Sequence, residues 1–169
     1  MRGWVALSLL LVTLTGCGFH PLYASEPVLG YDPTLASIEV RPVPDRIGQL
    51  LVQSVRDQLN PRGARLKPRY VLTIGMAIAR SDLGIRRDNT STRGELTITA
   101  TLTLNDTATN KIVFHDALRT ITAFNRPDDA YAATVAEDNA RSEAASDLGR
   151  EIAERVSLYL RSQSSRAGI

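Results

Sequence analysis

The segment 96–104 most narrows what this chain can become. Leu96, Ile98, Ala100, Leu102 and Leu104 alternate strictly with Thr97, Thr99, Thr101 and Thr103, a period of two that suits a half-buried strand and not a helix. One face of such a strand packs and the other is a threonine ladder. It requires neighbouring strands and a layer of apolar cover. The segment 70–80 offers one neighbour: Tyr70, Leu72, Ile74, Met76 and Ile78 share a face, and Val71, Thr73, Gly75, Ala77 and Ala79 make a second face that is small and mostly apolar. After a polar turn at 105–110, the segment 111–124 reads as a third long strand. Ile112 and Phe114 have one parity, Ala117, Ile121 and Ala123 the other, which predicts a bulge near His115-Asp116. Residues 81–93 carry Asp82, Gly84, Arg86, Arg87, Asp88 and Asn89, and predict a polar loop or a splayed hairpin tip.

The cover comes from two amphipathic segments. Asp45 is a candidate N-cap, and Ile47, Leu50, Leu51, Val55 and Leu59 follow at helical spacing before Pro61, so a helix is expected over 45–60. Residues 128–160 form a longer, alanine-rich helix. In it Ala136, Ala140, Ala144, Leu148, Ile152, Val156 and Leu160 recur every fourth residue, and Gly149 permits close approach of a neighbour. Glu137/Arg141, Glu151/Arg155 and Arg150/Glu154 are spaced to pair on its surface. Ahead of the first helix, 36–43 alternates Ile38 and Val40 with Glu39 and Arg41 and stops at Pro42 and Pro44, a short half-buried strand.

The order strand, helix, three strands, helix segregates the elements and predicts an α+β fold: a two-layer sandwich, its four-stranded mixed sheet carrying both helices on one face. The first strand crosses over through its helix and can pair parallel, while the other three form an antiparallel meander.

The beginning of the chain sets its address. Arg2 precedes an apolar run at 4–14 that matches a secretory core in length and falls short of the roughly 20 residues a spanning helix needs. Leu14-Thr15-Gly16-Cys17 then resembles the lipobox of bacterial lipoproteins. That resemblance implies a signal peptide over 1–16, cleavage before Cys17, and acyl chains on the only cysteine. Residues 17–35 read as a lipidated tether, 36–161 as a single domain and 162–169 as a flexible tail. Without residues 1–16 the chain keeps 153 residues with 19 basic and 18 acidic groups, enough for one core and no charge excess for gripping nucleic acid.

Catalytic and metal-binding sets are not apparent in the sequence. The thiol is assigned to lipid, the histidines His20 and His115 stand 95 positions apart, and no nucleophile elbow, metal-ligand motif or Gly-rich phosphate loop occurs. His115-Asp116 is the one His/carboxylate neighbour pair, and adjacent residues of a strand face opposite sides. We therefore expect no enzyme, no cofactor and no metal. Two binding candidates remain. Arg80, Arg86, Arg87 and Arg93 surround the turn region and can grip an anionic amphiphile, or else form a solvated loop with Asp82 and Asp88 as partners. The face of Thr97, Thr99, Thr101 and Thr103, with the small face of the strand before it, is either a docking surface or an ordinary solvated sheet face.

Several short motifs, taken in order, carry a further resemblance. They are Cys17-Gly18-Phe19-His20-Pro21-Leu22-Tyr23, Asp45-Arg46-Ile47-Gly48-Gln49, Thr92-Arg93-Gly94, and Tyr131-Ala132 followed by Ala136-Glu137-Asp138-Asn139-Ala140-Arg141. In this order the chain resembles the LptE family of lipopolysaccharide-assembly lipoproteins, in its alphaproteobacterial form, over essentially its whole length. The resemblance implies an outer-membrane lipoprotein on the periplasmic face, non-enzymatic, held by acyl chains on Cys17. It would plug the lumen of an LptD-type β-barrel translocon, help that barrel assemble and assist insertion of lipopolysaccharide into the outer leaflet. It also gives the arginine set a ligand, lipopolysaccharide. The competing expectation is a lipid-binding or auxiliary lipoprotein of a phospholipid transport system, which requires an apolar cavity between helices and sheet.

Overall fold

The computed structural model describes residues 32–85 and 91–167, and these belong to one compact unit beginning at Asp32. Its elements, in chain order, are α1 (Pro33–Ala36), β1 (Ile38–Val40), α2 (Arg46–Leu59), β2 (Tyr70–Ile85), β3 (Ser91–Asp106), β4 (Lys111–Asn125) and α3 (Ala130–Ala167). The sheet order is β1-β2-β3-β4, with β1 parallel to β2 and the rest antiparallel. This is the expected α+β sandwich with a mixed four-stranded sheet.

The alternation of residues 96–104 decides which side is covered. Leu96, Ile98, Ala100, Leu102 and Leu104 are all fully buried beneath the helices, joined from β2 by Leu72 and Ile74. Register places Thr103, Thr101, Thr99 and Thr97 opposite Thr73, Gly75, Ala77 and Ala79 on the uncovered side. From the helices come Leu51, Val52, Val55 and Leu59 of α2, and Ala144, Ala145, Leu148, Ile152, Val156 and Leu160 of α3. Full burial of each large aliphatic side chain contributes about 1.5–3 kcal/mol. Leu96, Phe124 and Ala140 form a second, smaller cluster where α3 runs on beyond α2.

Several details differ from the sequence reading. β1 is three residues long, because Asp32 caps a short helix that takes up Ala36: its carboxylate accepts from the Thr34 N–H at 2.8 Å, and Pro33 opens the turn. Residues 81–85 and 91–93 lie in strands, not in the loop expected for them. Ser81 pairs with Glu95 and Leu83 with Arg93, since ladder hydrogen bonds hold polar residues as readily as apolar ones. The bulge lies between Leu104 and Asn105, opposite Phe114 and Ile112, and leaves Val113 as the additional residue. Phe114, in continuous register with Leu118, meets Tyr159 with ring centroids 4.8 Å apart, while the bulge sends Ile112 to the other parity and leaves it exposed. Beyond the bulge parity is unbroken to Phe124, so nothing shifts at His115-Asp116. The last helix continues to Ala167. On its surface Glu137 pairs with Arg141, and Glu151 with Arg155 at 3.7 Å, but Arg150 takes Asp147 in place of Glu154.

Candidate functional site

With both long helices on one side, the opposite sheet face is the site the fold defines. Its centre is built from side chains that barely rise from the backbone: Gly75, Ala77 and Ala79 of β2, the four threonines of β3, and Ala117 of β4. Thr101 stands between Gly75 and Ala117, Thr99 between Ala77 and Arg119, and Thr97 between Ala79 and Ile121. The result is flat, mildly polar ground with Ile121 54% exposed at one side. Thr103 Oγ1 lies 3.4 Å from His115 Nδ1, a polar link between β3 and β4 on this face. Both flanks of the sheet are strand edges: β4 pairs on one side only, and β1 covers β2 only from Tyr70 to Leu72.

The four arginines do not form one group. Arg80 lies opposite Leu96, beneath the helices, and its guanidinium reaches Glu137 at 3.1 Å and Asp82 at 3.2 Å. Glu137 also holds Arg141, and Asp82 holds Arg126 at 3.1 Å, so Arg80 is one link in a chain of charges tying the end of β2 to α3. Arg93, opposite Leu83, projects to the uncovered side. Antiparallel partners share a face, so Arg80 and Arg93 point apart. Arg86, Arg87 and Cys17 lie outside the described residues. The sequence reading missed Glu137 as a partner of Arg80 and Arg126 as a partner of Asp82. The spacing Arg80–Asp82 was visible in the chain, but the link to Glu137 depends on where α3 crosses the sheet.

His115 and Asp116 take opposite faces, His115 toward Thr103 and Asp116 toward Arg155 at 3.5 Å. Among the described residues no group of three potential metal ligands converges, and no helix is long and apolar enough to cross a membrane. A cavity of about 450 Å³ opens at the sheet edge, between β1, α2 and the connector after it. Its lining mixes Gln53, Arg56, Asp57 and Arg65 with Leu59 and Leu66, and Arg56 spans it to donate to the Val40 carbonyl at 2.7 Å.

The described residues form a small two-layer α+β domain in which helices cover one sheet face and no described element covers the other. The family model described as LptE, lipopolysaccharide-assembly, matches residues 35–156, and the chain belongs to that family. Solved structures share the fold. A Caulobacter crescentus CB15 protein assigned as a lipoprotein aligns with a TM-score of 0.62 at 24% identity, over 78% of this chain and 95% of its own. The minor lipoprotein of Acinetobacter baumannii aligns at 0.56 and 19% identity, over 72% and 88%. Rare lipoprotein B of Shewanella oneidensis aligns at 0.51 and 14%, over 78% and 97%. The search of curated proteins gave no match.

Proposed function

We propose that this chain is an outer-membrane lipoprotein that sits as a plug inside an LptD-type β-barrel, helps that barrel assemble and assists delivery of lipopolysaccharide to the outer leaflet. Membership of the lipopolysaccharide-assembly family supports the process. The uncovered sheet face supports the mode of action, and it is the observation that carries the reading. The centre of that face is glycine, alanine and threonine, which lets another protein approach the backbone closely and offers hydroxyls for hydrogen bonds, with Glu95, His115 and Arg119 toward its margins. The domain acts by contact, without a catalytic step. Cys17 carries the acyl chains that hold it to the periplasmic face of the membrane. Lipopolysaccharide phosphates meet Arg86 and Arg87, between β2 and β3 in the chain, and Arg93 on the uncovered side.

The test is co-purification from detergent-solubilised outer membranes. A large β-barrel protein is expected in stoichiometric amount. Recovery of this chain without any barrel partner would overturn the plug. Mass spectrometry of the same material is expected to find an acylated peptide beginning at Cys17, and an unmodified Cys17 would overturn the anchor.

A further inference from the structure

The two ends of the sheet differ in charge. At the end where β2 and β3 approach their turn, acids and bases alternate in the chain Arg126–Asp82–Arg80–Glu137–Arg141. At the other end the bases collect. The connector from α2 to β2 carries Arg62, Arg65, Lys67 and Arg69 with no acid among residues 60–69, and all four are exposed. Its last residues are pinned to the β3–β4 turn: the Thr107 N–H donates to the Arg69 carbonyl at 2.9 Å and Thr107 Oγ1 donates to the Pro68 carbonyl at 3.1 Å. That contact brings the connector beside exposed Lys111, the first residue of β4. Helix α3 runs down the sheet to the same end, where Tyr159 meets Phe114, and its next turn carries exposed Arg161. The acids nearby are fewer: Asp106 caps its own turn through the Ala108 N–H, Asp57 accepts from Gln53, and Asp32 caps α1. Glu39, exposed on β1, lines the edge cavity together with Arg65 of the connector.

This basic end is also where the folded unit begins. Ile38 pairs with Tyr70, the first residue of β2, so Asp32 and α1 lie beyond the same strand end. We infer that the basic end, with Arg65, Lys67, Arg69, Lys111 and Arg161 at its surface, is an electrostatic contact for an anionic phospholipid surface, and orients the domain on the membrane leaflet that holds its anchor. The inference rests on the reading of Cys17 as that anchor. Acyl chains fix the chain to a membrane without fixing which end of the domain faces it. A cluster of exposed cations at one end, where the other end ties Arg80, Arg126 and Arg141 to Asp82 and Glu137, supplies that orientation, and it weakens with salt as surface charges are screened.

Limited trypsin digestion of the chain as purified from membranes tests this. The chain is reconstituted on vesicles of phosphatidylcholine alone or of phosphatidylcholine with phosphatidylglycerol. Cleavage after Arg62, Arg65, Lys67 and Arg69 is expected to slow several-fold on the phosphatidylglycerol vesicles only, and the difference should vanish in high salt. Lys111→Gln combined with Arg161→Gln removes no connector cleavage site and is expected to halve the protection or better. Equal cleavage on both vesicles, or equal protection by inorganic phosphate without vesicles, overturns the inference. Sedimentation reads the anchor separately. A chain that fails to stay with phosphatidylcholine vesicles refutes the anchor, and protection that persists on phosphatidylglycerol would then leave the charged contact standing.

Discussion

The ring of Phe124 lies across Gly94, its register partner, in the space a side chain on residue 94 would need. A Cβ built there would stand 2.6 and 2.9 Å from the two Cε carbons of the ring. An aromatic side chain laid over a cross-strand glycine shields the bare backbone and fixes the register of the pair. The ring also closes the small cluster with Leu96 and Ala140, which fastens the outer part of α3 to the sheet.

Gly94→Ala is therefore expected to destabilise the domain by about 1–3 kcal/mol through overpacking, and Phe124→Ala by about 3–5 kcal/mol through the cavity it leaves. Gly94→Ala combined with Phe124→Leu should cost less than the sum of Gly94→Ala and Phe124→Leu measured singly, since the smaller side chain makes room for the Cβ. Urea unfolding of the parent chain, these two single variants and the double variant measures this; strictly additive losses would show that the two residues do not interact.

This pair marks the limit of what the chain discloses on its own. The Leu96–Leu104 alternation was enough to assign the buried face, and helical spacing found Leu51, Val55, Leu148, Ile152 and Val156. Local periodicity reports which side of an element is wet or dry. It does not report register, so the overlay of Phe124 on Gly94 and the bulge at Val113 needed the assembled sheet. For the same reason Arg80 read as part of a basic tip when its partner Glu137 lies 57 residues further along the chain. The α1 helix is a different kind of miss: Asp32-Pro33 is a start signal, but four residues are too few to show a period.

Asp45 begins α2 with φ 71° and ψ 168°, a region in which only glycine is comfortable, and its carboxylate accepts from the Gly48 N–H at 2.8 Å. Asp45→Ala should lose the cap and keep the strain, a cost of about 1–2 kcal/mol. Asp45→Gly loses the cap but relieves strain of order 1 kcal/mol or more, so it should be the milder change. Thermal unfolding would settle the order, and an alanine variant as stable as the glycine variant would remove the strain from the account.

Gly149 is where α3 meets α2. A Cβ there would stand 2.7 Å from Ser54 Cβ and 3.0 Å from the Leu51 carbonyl oxygen, and neither atom can swing aside by rotating a side chain. Alanine is favoured over glycine inside a helix by about 1 kcal/mol, so an exposed site would gain stability. At this site the crowding should win, and Gly149→Ala is expected to lower the unfolding midpoint and weaken the bond from Ser54 Oγ to the Ser146 carbonyl, 2.8 Å long. A raised midpoint would mean that the helices separate easily.

The separation of the arginines makes the lipopolysaccharide reading divisible. Arg86→Ala with Arg87→Ala is expected to weaken lipopolysaccharide binding several-fold with the unfolding midpoint unchanged. Arg80→Ala should act on stability instead, and modestly, by about 1 kcal/mol or less, because the guanidinium it removes is more than a third exposed. Titration with lipopolysaccharide beside thermal unfolding distinguishes the two. Undiminished binding in the double variant would exclude the hairpin tip as the ligand site.

Thr101 offers the sharpest test of the uncovered face. Its cross-strand neighbours are Gly75 and Ala117, so an arginine placed there meets no bulky side chain and can lie over them within the sheet's own surface. Thr101→Arg should therefore change stability by no more than about 1 kcal/mol. To a partner seated on this face the same side chain is an obstacle carrying a charge that must be desolvated. Co-purification of the barrel is expected to fall sharply with Thr101→Arg and to hold with Glu143→Arg, which adds the same side chain to exposed helix surface on the opposite layer. If both variants bring the barrel down undiminished, the partner meets the domain through its strand edges or helices and the bare threonine face is solvent ground.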